Sequence, residues 1–197
     1  MVTPTTELVV VGPIVYTVAF WRSKMTMMCE ECGCRGGARK LFLGAEAIPS
    51  DAIRLFDGKD LSNWVKRGGG EPGWKVENGY AEVVPKTGDI CSKQTVADCQ
   101  LHVEFWLPLM ADCTGQARAN SGVYLQGRYE VQVLDSYGLD SKDDDCGGIY
   151  TVAAPVVNAC RPPEQWQTYD ILFHAPRFNH KGVKVKNARI SILQNGI

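Results

Sequence analysis

Histidine is scarce in this chain: His102, His174 and His180 are the only three in 197 residues, and their scatter gives no His-x-x-x-His metal pattern. Charge of one sign is also missing. With 21 Lys and Arg against 22 Asp and Glu, no broad basic field exists to draw in a phosphate backbone, which excludes nucleic acid as a partner. No apolar run reaches the roughly twenty residues that a membrane-spanning helix needs. The longest, Leu8 to Trp21, is about fourteen residues and is interrupted by Pro13. Helix-favouring segments are few, which leaves little basis for a helical or mixed fold.

What the sequence does have is Val, Tyr, Trp, Phe and Thr interleaved with Gly, Pro, Asn and Asp, a turn signal arriving every eight to twelve residues or so. That rhythm predicts an all-β, antiparallel sandwich. Trp74 to Val83 alternates apolar and polar residues about Asn78-Gly79, a hairpin signal. Further strands are expected at Leu101–Leu107, Ser121–Gln126, Tyr129–Leu134, Tyr169–His174 and Ala188–Leu193. Asn195-Gly196 should open another hairpin whose returning strand would begin with Ile197, so the domain is expected to be incomplete at its C-terminus.

Residues 1–50 are set apart as an N-terminal extension, with the domain spanning 51–197. Leu8 to Trp21 has the length of a signal-peptide h-region, and a membrane is expected as a partner only through an anchor-like role of this extension. Its flanking charges run the wrong way, however: Glu7 precedes it, and Arg22 and Lys24 follow. The alternative is an unstructured start, for which Met25, Met27 and Met28 offer other initiation points. Cys29, Cys32 and Cys34 lack a nearby fourth ligand for zinc. The other five cysteines are an odd number, so at least one thiol there is free or pairs outside the group. Cys146 and Cys160 flank one long link, either as a disulfide closing it or as free buried thiols. Asp143-Asp144-Asp145 in the same link reads as a solvated acidic loop rather than a calcium site, and no cofactor or metal is expected.

The densest chemistry lies in Asn120 to Ser136, which reads as two adjacent strands. In the second, Glu130, Gln132 and Leu134 share one face, opposite Tyr129, Val131 and Val133. Asp135 would point away from Glu130 unless a bulged residue near Leu134 brings it round. With that bulge, Glu130, Gln132 and Asp135 form a catalytic row, since neighbouring acids push each other's pKa values apart. Arg128 and Tyr124 adjoin that row. Trp106, sharing a face with Glu104 and His102, offers a ring on which a sugar could stack. Tyr150 and Asn158 belong to the long link, where loops carry binding groups.

The segment NSGVYLQGRYEVQVLDSYG, followed by DCGGIY, VNAC and PPEQWQTYDILFHAPRF, resembles the 3-keto-disaccharide hydrolase family, and the opening Leu55 to Trp64 matches that family's start. The resemblance covers roughly Ile53 to Ile197. It implies a concanavalin-like jelly roll in an exported protein, periplasmic or extracellular, acting on a carbohydrate. The implied reaction is cleavage of a 3-keto-glycoside by enolate-forming elimination and hydration. It also implies further strands after Asn195-Gly196.

A looser similarity is to laminarinase-type glycoside hydrolases, whose strand carries Glu-x-Asp-x-x-Glu. The run here is Glu130-x-Gln132-x-x-Asp135, with an amide for the middle acid and a shorter last acid. Ordinary glycoside hydrolysis is therefore the alternative enzyme. A non-catalytic carbohydrate-binding module is the alternative outside enzymes, because jelly rolls serve both ends.

Overall fold

The structure is a computed structural model that describes residues 6–11, 15–21 and 52–197. Its elements, in chain order, are β1 (Thr6–Val11), β2 (Val15–Trp21), β3 (Ala52–Arg54), β4 (Trp64–Lys66), β5 (Lys75–Glu77), β6 (Tyr80–Glu82), β7 (Ile90–Val96), β8 (Cys99–Trp106), β9 (Asn120–Leu125), β10 (Tyr129–Leu134), β11 (Trp166–His174), β12 (Arg177–Phe178), β13 (Lys184–Lys186) and β14 (Arg189–Gln194). One 3-10 turn, Gly115–Ala117, is the only helical element among the described residues.

The strands form two main antiparallel sheets, ordered β10-β9-β1-β7-β4 and β14-β11-β8-β2-β6-β5, with β3 pairing β2 and a small β12-β13 ribbon beside them. This is the antiparallel β-sandwich that the strand rhythm predicts, in the jelly-roll form that the family resemblance implies.

Alternation decides which side chains meet between the sheets. From β8, Leu101, Val103 and Phe105 turn inward; from β11, Tyr169, Ile171 and Phe173; from β9 and β10, Val123, Leu125, Val131 and Val133. The Phe105 and Tyr169 rings pack at 4.8 Å between centroids, and Tyr129 and Phe173 at 5.7 Å. Truncating a ring as deeply buried as Phe105 costs about 3–5 kcal/mol. Where Tyr169 reaches the opposite sheet its hydroxyl is not left bare: it donates to the Gln132 carbonyl at 2.6 Å and lies 3.0 Å from Cys146 Sγ. One hydroxyl thus ties β11 to β10 across the core.

Two-residue turns behave as their sequences require. Asn78 and Gly79 both have positive φ between β5 and β6, as a type I′ hairpin needs. Gln194 and Ile197 exchange backbone hydrogen bonds across Asn195-Gly196, forming the turn expected there.

The structure departs from the sequence reading at the other end. Thr6–Val11 and Val15–Trp21, set aside with residues 1–50, are strands at the heart of both sheets: β1 lies between β9 and β7, and β2 between β8 and β6. The segment is rich in β-branched and aromatic residues, which suit a pleated sheet. Pro13, taken to interrupt an apolar helix, falls between the two strands in sequence. Cys29, Cys32, Cys34, Met25, Met27 and Met28 lie outside the described residues.

Candidate active site

The outward face of the first sheet carries the candidate residues Glu130, Tyr124 and Gln132. β9 and β10 form a hairpin about Gln126-Gly127, both at positive φ, and pair Glu130 with Tyr124, Gln132 with Gly122 and Leu134 with Asn120. The Tyr124 hydroxyl donates to Glu130 Oε2 at 2.6 Å. Gly122 makes room for this pair, because a methyl group there would overlap Glu130 Oε1. Burial pushes the Glu130 carboxyl above its usual range, and the hydrogen bond from Tyr124 takes back only part of that shift. Burial also raises the Tyr124 phenol, with the Glu130 charge adding to it. The result is a carboxylate more basic than a solvated one, held by a neutral phenol at the sheet surface.

Gln132 shares Glu130's row, as expected, but its amide is fully engaged. Its Nε2 donates to Gln116 Oε1 at 3.0 Å and to the Asp144 carbonyl at 3.2 Å, and its Oε1 accepts from the Val133 amide at 3.2 Å. Only 1% of the residue is exposed. Asn120 Nδ2 also reaches Gln116 Oε1, at 2.8 Å. Gln132 therefore pins the 3-10 turn and the acidic loop onto the sheet instead of facing a substrate.

Asp135 is the clearest correction. The β10 register is regular through Leu134, and the Asp135 amide continues the ladder to the Ala119 carbonyl at 3.0 Å. The bulge expected near Leu134 is absent, so strand alternation holds and Asp135 does not join Glu130's row. Its carboxylate instead lies 3.8 Å from Arg118 Nη1 and is almost wholly buried.

The other candidates divide between the two faces of the sandwich. The Tyr150 amide donates to the Glu130 carbonyl at 3.0 Å, and Ile149 bridges Val131, so the Gly147–Tyr150 segment runs along the free edge of β10 and brings Tyr150 beside Glu130. Arg128 sits exposed at the turn two residues before Glu130. Asn158 latches the long link: its Nδ2 donates to the Ser136 and Leu139 carbonyls and its Oδ1 accepts from the Cys160 amide. Trp106 and Glu104 do share an outward face, but that face belongs to β8 in the second sheet, across the core from Glu130. Alternation reveals which residues share a face but not which sheet a strand joins.

Cys146 and Cys160 are free buried thiols. Asp145 accepts from the Lys142 amide within the acidic loop, and the Asp144 carbonyl accepts from Gln116 and Gln132, which fasten the loop to the 3-10 turn and to β10. A cleft of about 290 Å³ lies between this link and β14, lined by Ile149, Pro155, Ile190, Ile192 and Gln194 among others. Its lining is apolar apart from the Gln194 amide and backbone groups, with no acidic, basic or histidine side chain.

Comparison with known proteins bears on what this face serves. The profile of 3-keto-alpha-glucoside-1,2-lyase-like domains matches residues 51–197. The chain belongs to that family. No curated protein matches it. Among solved structures, this chain is similar to a candidate glycosyl hydrolase from Parabacteroides distasonis, with 44% identity and a TM-score of 0.71, covering 75% of this chain. It spans 63% of the length of that relative.

Within this domain, sequence reasoning identified the Glu130 and Tyr124 strands but missed Gly122, which makes room for that pair, and Gln116, Asn120 and Arg118, which engage Gln132 and Asp135 directly or through one another. Gly122 was the legible one, since a glycine two residues before Tyr124 faces the same side of β9.

Proposed function

We propose that the protein cleaves the glycosidic bond of a 3-keto-glycoside, with Glu130 as the proton-transferring group. The supporting observation is the Tyr124–Glu130 pair: a single desolvated carboxylate with a phenol donor 2.6 Å away. A ketone at C3 acidifies the proton on C2. Glu130 accepts that proton, and the C2–H electrons form the enolate. The enolate collapses to the enone as the C1–O bond breaks, and the proton held by Glu130 is then available to the departing oxygen. Water adds to the enone, so the net reaction is hydrolysis. One well-placed acid–base group suffices for this route, and a raised pKa brings it nearer the operating pH. Tyr124, as a neutral O–H donor, is suited to stabilise developing negative charge.

Double displacement by a laminarinase-type mechanism fits less well. It needs two carboxyl groups about 5–5.5 Å apart across the bond, and Asp135 is ion-paired to Arg118 off Glu130's row. The test is aglycone release from a 3-keto-glucoside and from its unoxidised parent, by wild type and by Glu130→Gln. Release from the keto compound alone, lost in the variant, is expected. Release from the parent as well would favour the ordinary hydrolase. Release from neither, with glycan still bound, would favour a binding module.

A further inference from the structure

The outward face of the second sheet presents three consecutive cross-strand pairs of β8 and β11: Trp106 with Trp166, Glu104 with Thr168, and His102 with Asp170. Their neighbours Phe105, Val103, Leu101, Gln167, Tyr169 and Ile171 fill the core, which fixes the direction of the three pairs. We propose that this face is a second carbohydrate-binding site, for a neutral glycan chain, separate from the Glu130 site on the opposite side of the sandwich.

Three features carry the assignment. The aromatic end is broad: Trp166 is 43% exposed, and Tyr80 joins it at 6.5 Å between ring centroids. Sugar rings present an apolar C–H face, and such rings are their natural platform. The polar end is preorganised: Asp170, 8% exposed, holds His102 Nδ1 at 2.7 Å and so aims Nε2 outward. His102 Nε2 and Glu104 Oε1 are 3.8 Å apart, beyond direct hydrogen-bonding range. A sugar hydroxyl can bridge them, accepting from the imidazolium and donating to the carboxylate, since a hydroxyl oxygen both donates and accepts.

The spacing suits an extended ligand, since the polar pairs lie about 7 and 14 Å along the strands from the tryptophans. Metal binding does not compete: both ring nitrogens of His102 face carboxylates and carry protons, which leaves no lone pair. One imidazolium between two carboxylates leaves a net negative charge, which repels acidic sugars and selects neutral ones.

This inference rests on the carbohydrate class of the proposed function but not on its keto chemistry, and its test needs no turnover. The full chain is titrated with cellohexaose, laminarihexaose and a hexamer of galacturonic acid while the indole N–H resonances are followed by NMR. A neutral hexasaccharide is expected to move the Trp106 and Trp166 signals and leave that of core Trp64 unchanged, in wild type and in Glu130→Gln alike. Trp166→Ala should weaken binding about tenfold or more, whereas Trp166→Tyr, which keeps a stacking ring, should retain most of it. The acidic hexamer should bind less well. Silence of the Trp106 and Trp166 signals with both neutral probes would overturn the proposal, and wild-type spectra alone decide this. So would binding that is lost in Glu130→Gln but kept in Trp166→Ala.

Discussion

At the scale of single residues, the site depends on a side chain that is absent. The Glu130 carboxylate folds over Gly122, and a methyl group there would collide with the movable end of Glu130, not with fixed backbone. Gly122→Ala should therefore displace the carboxylate without unfolding the strand. The expected outcome is a loss of kcat/KM of about tenfold or more, since small misplacements of a reacting group are costly, while the melting temperature changes little. Steady-state kinetics beside a thermal melt would check this, and an equal loss in both would indicate that Gly122 serves the fold. Tyr124→Phe tests the same pair differently. The phenol holds the Glu130 pKa down against burial, so its removal lets the pKa rise further. A base must be deprotonated to act, so the acid limb of the pH–rate profile for kcat/KM should move to higher pH. An unmoved limb would mean that another group sets it.

At the scale of elements, the hydroxyl of Tyr169 links strands of different sheets. Tyr169→Phe leaves the ring in the core and removes only the bonds to the Gln132 carbonyl and Cys146 Sγ. The Gly147 amide still donates to that carbonyl, so the cost should be about 1–2 kcal/mol. That corresponds to a melting temperature lower by roughly 2–8 °C, measurable by calorimetry. This scale also shows what the sequence could convey. β5, β6, β8, β9, β10, β11 and β14 were legible because each alternates between core and solvent and is bounded by turn residues, as Asn78-Gly79 illustrates. β7 was missed because Ile90-Cys91-Ser92-Lys93 breaks the alternation, burying three successive residues before exposing the fourth. β1 and β2 were set aside because a short apolar run also reads as a leader segment, although its Gly12-Pro13 dipeptide is a turn signal that divides it into two strands. Glu130 with Tyr124 was legible within one hairpin. Trp106, Glu104 and His102 share a face as alternation requires, but that it lies across the core from Glu130 was not legible, because sheet membership depends on contacts remote in sequence. The Asp135 bulge failed because Arg118 gives the carboxylate a partner without one.

For the whole molecule, the near balance of 21 basic and 22 acidic side chains leaves little general self-repulsion near neutral pH, so the pH dependence of stability should follow a few specific groups. At the acid end, burial works against Asp98, but hydrogen bonds from Arg177 and the Ala175 amide hold its pKa below the usual value. Its contribution is present above about pH 4 and is lost as the pH falls through the depressed value. At the alkaline end, burial alone would lower the pKa of His102, but the Asp170 and Glu104 carboxylates raise it to about 9. A group bound more tightly to its proton in the folded state stabilises the fold fully below its unfolded pKa of about 6.5, and loses that contribution as the pH rises through 9. With a quarter of the His102 side chain exposed, solvent screening reduces the contribution to about 2 kcal/mol. Loss of the His102 charge should hence lower the melting temperature between about pH 6.5 and 9, a window in which lysines and tyrosines do not titrate but cysteines do, so the His102 contribution is read as the difference from a variant. His102→Gln keeps a donor for Asp170 but has no proton to lose, so it should melt lower at pH 6 and show a flattened slope up to pH 9. An identical alkaline slope in the two proteins would assign the decline to other groups and remove the charged His102–Asp170 pair from the account of what holds the second sheet together.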